Sequence, residues 1–297
     1  FHNWSDGVTY GHAITAEAQT LFMNKDMMAA ANVDVPTTMD DLFAAAKAMK
    51  TGDVAGIVMR AKATGDANPW TAGGFIFSYG GAIVTLDGKS GLQMPQTIAA
   101  VDAYGQMLRE AGPLGISTYH WMECLNDFMQ GAAAIGCDSS NFASDIANPE
   151  KSTVVASAIF GALPGGDGAA PKPNMWHWVA GINSNSAHKN AAYLFLMWAT
   201  SKPTSMLAAA AGLATTRASA WETSAFKDKF GADAATAALS NLSAADGDLF
   251  KAAWFHPKSG EILDPLAIAI NEVISGTRDA ASALKDADAV IAKVLAG

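Results

Sequence analysis

Ile159-Phe160-Gly161-Ala162-Leu163-Pro164 runs into Gly165-Gly166-Asp167-Gly168, and Trp178-Val179-Ala180-Gly181-Ile182 runs into Asn183-Ser184-Asn185-Ser186. Each is a short apolar run ended by turn-forming residues, which predicts a strand followed by a loop. The second loop offers capping side chains to a strongly apolar helix predicted over Ala191 to Ala199, with Trp198 assigned to the core. Strands that alternate with helices argue an α/β protein rather than a helical bundle or a β-sandwich.

The same alternation extends upstream. A helix is predicted over Ala18 to Ala31, where Leu21, Phe22, Met28 and Ala31 share a face and Pro36 bars continuation. Thr37-Thr38-Met39-Asp40-Asp41 supplies capping hydroxyls and first-turn carboxylates to a helix carrying Leu42, Phe43, Ala46 and Met49, closed at Thr51-Gly52. Ile57-Val58-Met59 reads as a buried strand. Phe75-Ile76-Phe77 suits the end of a helix or a strand, and the helix is favoured. Helices are expected over Thr97 to Glu110 and ending at Asn126 to Gln130, with a strand over Ala132 to Cys137. The tail from Ile268 to Leu295 is helical, with one break at Ser275-Gly276-Thr277. There is no internal repeat and no low-complexity linker.

The 297 residues are 50% hydrophobic and 16% charged, enough to bury a sizeable core in one large or two medium domains. Lys+Arg 19 against Asp+Glu 28 gives a net charge of -9. An acidic chain without a basic run is a poor nucleic-acid binder. Mean hydropathy is +0.14, yet no stretch approaches the ~18 apolar residues of a membrane span. Cys124 and Cys137 are too few for a disulfide scaffold or a four-cysteine zinc site, and one disulfide or two buried thiols fit equally. Phe1-His2-Asn3-Trp4 is neither an initiator Met nor a signal peptide, so a processed or incomplete chain is expected.

Catalytic signatures are absent. Gly165-Gly166-Asp167-Gly168 lacks the Lys-Ser/Thr of a phosphate loop. No Gly-x-Ser-x-Gly elbow or His-Glu-x-x-His helix occurs. The six histidines are scattered, so no metal and no cofactor are expected. What the chain does carry is aromatic residues beside polar ones between elements: Asn68-Pro69-Trp70, Tyr119-His120-Trp121 and Met175-Trp176-His177-Trp178. Rings pack on the C–H faces of a sugar or polyol while polar neighbours meet its hydroxyls.

Ala16-Glu17-Ala18 and Leu21-Phe22-Met23-Asn24-Lys25-Asp26-Met27 resemble the small–Glu–small and Leu-x-Tyr-Asn-Lys-Asp-Leu segments of ABC-transporter sugar-binding proteins of the maltose-binding-protein-like family 1. Pro36-Thr37-Thr38-Met39-Asp40-Asp41-Leu42 is similar to that family's Pro-x-Thr-Trp-x-Glu-Leu, with Met39 in place of Trp. Further matches follow in the family's order over nearly the whole chain. They include Gly80-Gly81, Phe128 to Ala134, Leu163-Pro164-Gly165-Gly166, Ala180-Gly181-Ile182-Asn183, Thr215-Thr216-Arg217 and Ile274-Ser275-Gly276-Thr277.

The resemblance implies a type II periplasmic-binding-protein-like α/β fold: two lobes joined by hinge crossovers, with a ligand held in the cleft between them. Family members begin upstream with a part of the first lobe that this sequence lacks. Residues 1–13 and 209–258 are expected as remnants of that N-terminal lobe, and 14–208 with 259–297 as the C-terminal lobe. Residues preceding Phe1 are expected in the whole molecule, because a half-built sheet would expose apolar edges.

Site residues carried over from the resemblance are Glu17, facing the sugar as a hydroxyl acceptor, and Trp70, stacking on it, with Asn68 replacing a carboxylate. Asp138, Ser139 and Asn141 follow a strand end, Asn141 standing where relatives place a Trp platform. Trp176 and His177 stand at the cleft entry, Arg217 matches a ligand-binding arginine, and Trp121 joins the aromatic set. The Trp-His-Trp run is similar to the sugar-alcohol branch of the family. The resemblance therefore implies a monomeric, non-catalytic receptor for a sugar alcohol or monosaccharide, periplasmic or lipid-anchored outside the cell, that delivers its ligand to ABC permease subunits. Two other readings stand beside it: a carbohydrate-active enzyme with an aromatic-lined cleft, and a receptor for a peptide, amino acid or opine. The last would require a pair of cations facing a carboxylate, and only Arg217 offers itself.

Overall fold

Glu17–Asn24 is a strand in which all eight residues are buried, and the rest of the chain is arranged around it. A computed structural model describes residues 9–297, so Phe1–Trp4 and the remainder of 1–8 lie outside the described residues. The strands are β1 (His12–Ala13), β2 (Glu17–Asn24), β3 (Ala55–Val58), β4 (Ala133–Ser139), β5 (Ala158–Gly161), β6 (Met175–Trp176) and β7 (Val179–Ala180). The main sheet runs β3-β4-β2-β5, with β6 also paired to β2, while β1 and β7 form a separate pair. β3 is parallel to β4, and β2 is antiparallel to β4, β5 and β6.

Leu21 and Met23 of β2 join Ile135 and Cys137 of β4 in the largest core. Helices Met39–Met49, Asn68–Ser78, Pro95–Ala111, Ser259–Ser275 and Ala280–Ala296 pack there. Phe22 points the other way, edge-on to Phe128 at 5.0 Å. Opposite it Gly136 is required, since a Cβ would sit 2.0 Å from the Phe22 ring. Both faces of β2 are therefore covered.

That burial explains why a helix predicted over Ala18 to Ala31 is instead a strand followed by the helix Lys25–Ala31. A strand covered on both faces loses the polar alternation that would announce it. Asn24 makes the switch, accepting from the backbone N–H groups of Asp26 and Met27. Of the two capping hydroxyls expected, Thr38 takes the N-cap, closed by a reciprocal capping box with Asp41. Phe75–Phe77 is helical, and the C-terminal tail breaks at Gly276.

Helix Ala232–Ala244, within 209–258, lies on β2 and β5. Asn241 there donates to Thr20 Oγ1 at 3.1 Å and accepts from the Leu163 N–H at 3.0 Å. Trp198, expected in the core, is 62% exposed, together with Tyr193, Leu194, Phe195 and Met197; in helix Lys189–Ala199 only Leu196 is buried. The composition of that helix reads as core, but its principal neighbour among the described residues is the helix Lys202–Ala210, which covers one side only.

Candidate functional site

Strand direction brings the site together. β3 and β4 run parallel and β2 opposes them, so the C-terminal ends of β3 and β4 share an edge with the N-terminal end of β2. Glu17, at that end of β2, is paired across the sheet with Trp176 of β6. A cleft of about 760 Å³ opens at this edge.

Glu17 lies at the cleft floor. Thr15 Oγ1 donates to its Oε1 at 3.1 Å and Ser139 Oγ to its Oε2 at 2.6 Å. Burial pushes its carboxyl above the ordinary 4.5, against the downward pull of these hydroxyls and of the Arg60 charge. Arg60, just beyond β3, donates from Nε and Nη2 to the two Asp138 oxygens at 2.8 and 2.5 Å. Burial opposes the Arg60 charge, but the adjoining Asp138 carboxylate outweighs it and holds the guanidinium protonated. The guanidinium also lies 4.6 Å over the Trp70 ring. The Trp70 indole N–H donates to the Met175 carbonyl at 3.2 Å, which fixes the ring.

Aromatic side chains build the walls. Trp121 stacks on Phe142 at 5.6 Å, and Trp176 meets Trp178 edge-on at 6.0 Å. Trp254 stacks on Phe250 at 5.0 Å behind the cleft. The start of helix Ser259–Ser275 adds Ser259, Gly260, Leu263 and Asp264, and the loop after β3 adds Thr64, Gly65 and Asp66. Asp264 Oδ1 accepts from the Gly65 N–H at 3.0 Å, and His120 Nε2 lies 3.3 Å from Asp66 Oδ2. Such a site offers ring faces to C–H groups and carboxylates to hydroxyls.

Of the residues expected from the sequence, Glu17, Trp70, Trp121, Ser139, Asn141 and Trp176 line this cleft. Asp138 stands behind the lining, its carboxylate engaged by Arg60. Three others do not take the expected place. Asn68 is fully buried, its amide donating to the carbonyls of Ala61 and Ala267. His177 is buried with its ring 5.5 Å from Phe255, and Arg217 donates to the Thr200 carbonyl; neither lines the cleft. Trp178, from the Trp176-His177-Trp178 run, lines the cleft too, and Arg60, Phe142, Trp254 and Asp264 line it without being among the residues expected from the sequence. Trp254-Phe255-His256 carries the same aromatic–histidine signal as the runs that were selected.

Cys124 and Cys137 are free, buried thiols. Burial pushes the Cys137 thiol up to about 12. Among the described residues no group of three His, Cys, Asp or Glu side chains is placed to hold a metal, and no helix is long and apolar enough to cross a membrane.

Residues 1–206 match the family model described as bacterial extracellular solute-binding protein. The chain is 31% identical over 140 residues to the erythritol/L-threitol-binding protein of Mycolicibacterium smegmatis, covering 43% of this chain and 28% of that protein. It is 26% identical over 201 residues to the mannitol-binding protein of Pseudomonas aeruginosa, covering 66% of this chain and 46% of that protein. The chain thus spans less than half the length of these two curated relatives. Among solved structures, an ABC transporter solute-binding protein of Agrobacterium radiobacter K84 in complex with ribitol superposes with a TM-score of 0.83 at 26% identity, covering 98% of this chain and 73% of that one. A counterpart from Agrobacterium vitis S4 with bound D-mannitol gives 0.87 at 23%, covering 99% and 74%. The fold is that of the type II periplasmic-binding-protein-like proteins.

Proposed function

The chain belongs to the bacterial extracellular solute-binding protein family, and from that premise we propose that it is the non-catalytic receptor of an ABC importer, monomeric and outside the cytoplasmic membrane. It binds a small polyhydroxy ligand, a sugar alcohol or monosaccharide, and passes it to the permease subunits. The observation that carries this reading is Glu17, a buried carboxylate with hydroxyl donors on both oxygens, in a cleft walled by Trp70, Trp121 and Trp176. A carboxylate that keeps acceptor capacity beside ring faces matches a molecule of alternating hydroxyls and C–H groups. The bound ribitol and D-mannitol of the Agrobacterium proteins, and the names of the erythritol/L-threitol- and mannitol-binding relatives, support the same class.

The experiment is calorimetric titration of the full chain with ribitol, D-mannitol and erythritol, followed by mass spectrometry of the recovered ligand. Saturable binding of at least one polyol, recovered unchanged, is the expected result. A converted product would replace the receptor by a carbohydrate-active enzyme, and no binding across the panel would overturn the polyol reading.

A further inference from the structure

The charges that face the cleft are one-sided. Glu17, Asp66 and Asp264 line it, and Arg60 is the only Lys or Arg side chain among the lining residues. Two of the Arg60 nitrogens donate to Asp138, Nη1 donates to the Asp66 carbonyl at 3.3 Å, and its flat face lies against Trp70. Asp138 therefore cancels the one fixed cation. His120 faces Asp66 at the rim, while neither Glu17 at the floor nor Asp264 on the wall is in an ion pair among the described residues; the Arg60 charge still acts on Glu17, but its hydrogen bonds go to Asp138 and Asp66.

Glu17 and Asn141 hold unused acceptor capacity in the same place. After accepting from Thr15 and Ser139, each Glu17 oxygen retains acceptor capacity. Asn141 Oδ1, also in the lining, is buried and has no hydrogen-bond partner. The hydroxyls of Thr15 and Ser139 are already donating, and so is the Trp70 N–H. The ring faces of Trp121, Trp176, Trp178 and Trp254 attract cations as well as C–H groups.

We propose that this site, read as the polyol site above, prefers polyhydroxy ligands that carry an ammonium group, such as aminated alditols and amino sugars, and excludes anionic ones such as aldonates and polyol phosphates. The inference rests on the polyol reading and narrows it. An ammonium brings three donors and a full positive charge to Glu17 and Asn141, and a charge-assisted bond is roughly twice as strong as a neutral one. A ligand carboxylate or phosphate would face Glu17 and Asp264 with no free cation, and drawing Arg60 toward itself would strip Asp138 of its partner.

The test titrates the full chain with three probes of similar shape: D-glucitol, 1-amino-1-deoxy-D-glucitol and D-gluconate. The amine is expected to bind about tenfold more tightly than D-glucitol, and D-gluconate at least about tenfold more weakly. E17Q and D264N should each bring the amine-to-glucitol ratio toward one. Asp264 is exposed, so D264N reads the ratio even if E17Q does not fold. D-glucitol binding with no preference for the amine, with equal or better binding of D-gluconate, or with a ratio unmoved in every variant that folds, overturns the inference and leaves the polyol reading standing. Failure of these probes and of every neutral polyol overturns both. Binding of the amine alone overturns the neutral-polyol reading and sustains the charge preference.

Discussion

Arg60 and Asp138 meet through two parallel N–H···O contacts where β3 and β4 end, Nε to Oδ2 at 2.8 Å and Nη2 to Oδ1 at 2.5 Å. The pair is a consequence of strand register. Val58 lies opposite Gly136 in a parallel ladder, so two residues further along each chain Arg60 comes to face Asp138. Both side chains are largely out of water, at 11% and 1% exposure. Removing either partner therefore strands a buried charge, whereas removing both does not. D138N or R60Q should each lower unfolding free energy by about 3–5 kcal/mol. The double variant R60M/D138L should be clearly more stable than the sum of two such losses. Urea denaturation of the four proteins checks this, and additive losses would mean that the pair does not act as a unit.

Glu17 gives a pH signature with a definite sign. Because burial raises its carboxyl above 4.5, the ligand-free folded protein holds that proton to higher pH than the unfolded chain. The stability linked to Glu17 is therefore fully present below pH 4.5 and is lost as pH rises through the raised value. E17Q has no such titration, so the stability of the original protein relative to E17Q should decline from acid toward neutral pH. Chemical denaturation of both at a series of pH values measures the difference, and a flat difference would refute it.

Local chemistry was readable from the sequence; partners distant along the chain were not. The Thr38–Asp41 capping box needs only neighbours three apart, and it lies within the Thr37–Asp41 stretch that the sequence offers as capping hydroxyls and first-turn carboxylates. The Arg60–Asp138 pair spans 78 residues and exists only because β3 sits beside β4, a fact that no local pattern carries. The sequence of β2 reads as helix because burial on both faces erases its period. Glu17 and Ser139 are both expected site residues, but their 2.6 Å contact depends on the antiparallel ladder that places Gln19 opposite Ser139. Asn68 is two residues from Trp70 and shares its sequence signal, yet it does not line the cleft and its amide holds the Ala61 and Ala267 carbonyls inside the core. Trp198 shows the converse: apolar composition alone does not say which neighbours a helix will have.

Trp121 and Trp176, both in the cleft lining, should separate affinity from stability. Trp121 is 37% exposed and, among the described residues, its ring contacts are Phe142 and His120. W121A should weaken polyol binding by about tenfold while changing stability by less than about 1 kcal/mol. Trp176 is packed edge-on against both Phe250 and Trp178 within β6. W176A should weaken binding and also lower stability by about 3 kcal/mol. Calorimetric titration and thermal melts on the two variants decide the matter, and equal stability losses would contradict the difference in packing.

Gly74, in the middle of helix Asn68–Ser78, carries the last prediction. Replacing an interior helical glycine by alanine ordinarily gains about 1 kcal/mol from helix propensity. Here a Cβ would sit 1.7 Å from Gln19 Oε1 and 2.8 Å from the Asn174 backbone nitrogen. Those atoms belong to a buried network: Gln19 donates to the Thr71 carbonyl at 2.9 Å, and Asn174 donates from its backbone to Gln19 Oε1 and from its side chain to the Trp70 carbonyl. A methyl group cannot enter without pushing the helix off β2, so overpacking outweighs propensity and G74A should lose about 1–3 kcal/mol net. Trp70 rides on the same helix, so the shift should also move the ring that lines the cleft and weaken ligand binding. Urea denaturation and ligand titration of G74A test both effects together. A gain in stability would show that Gln19 can swing aside and that the helix is not held against β2 at this point.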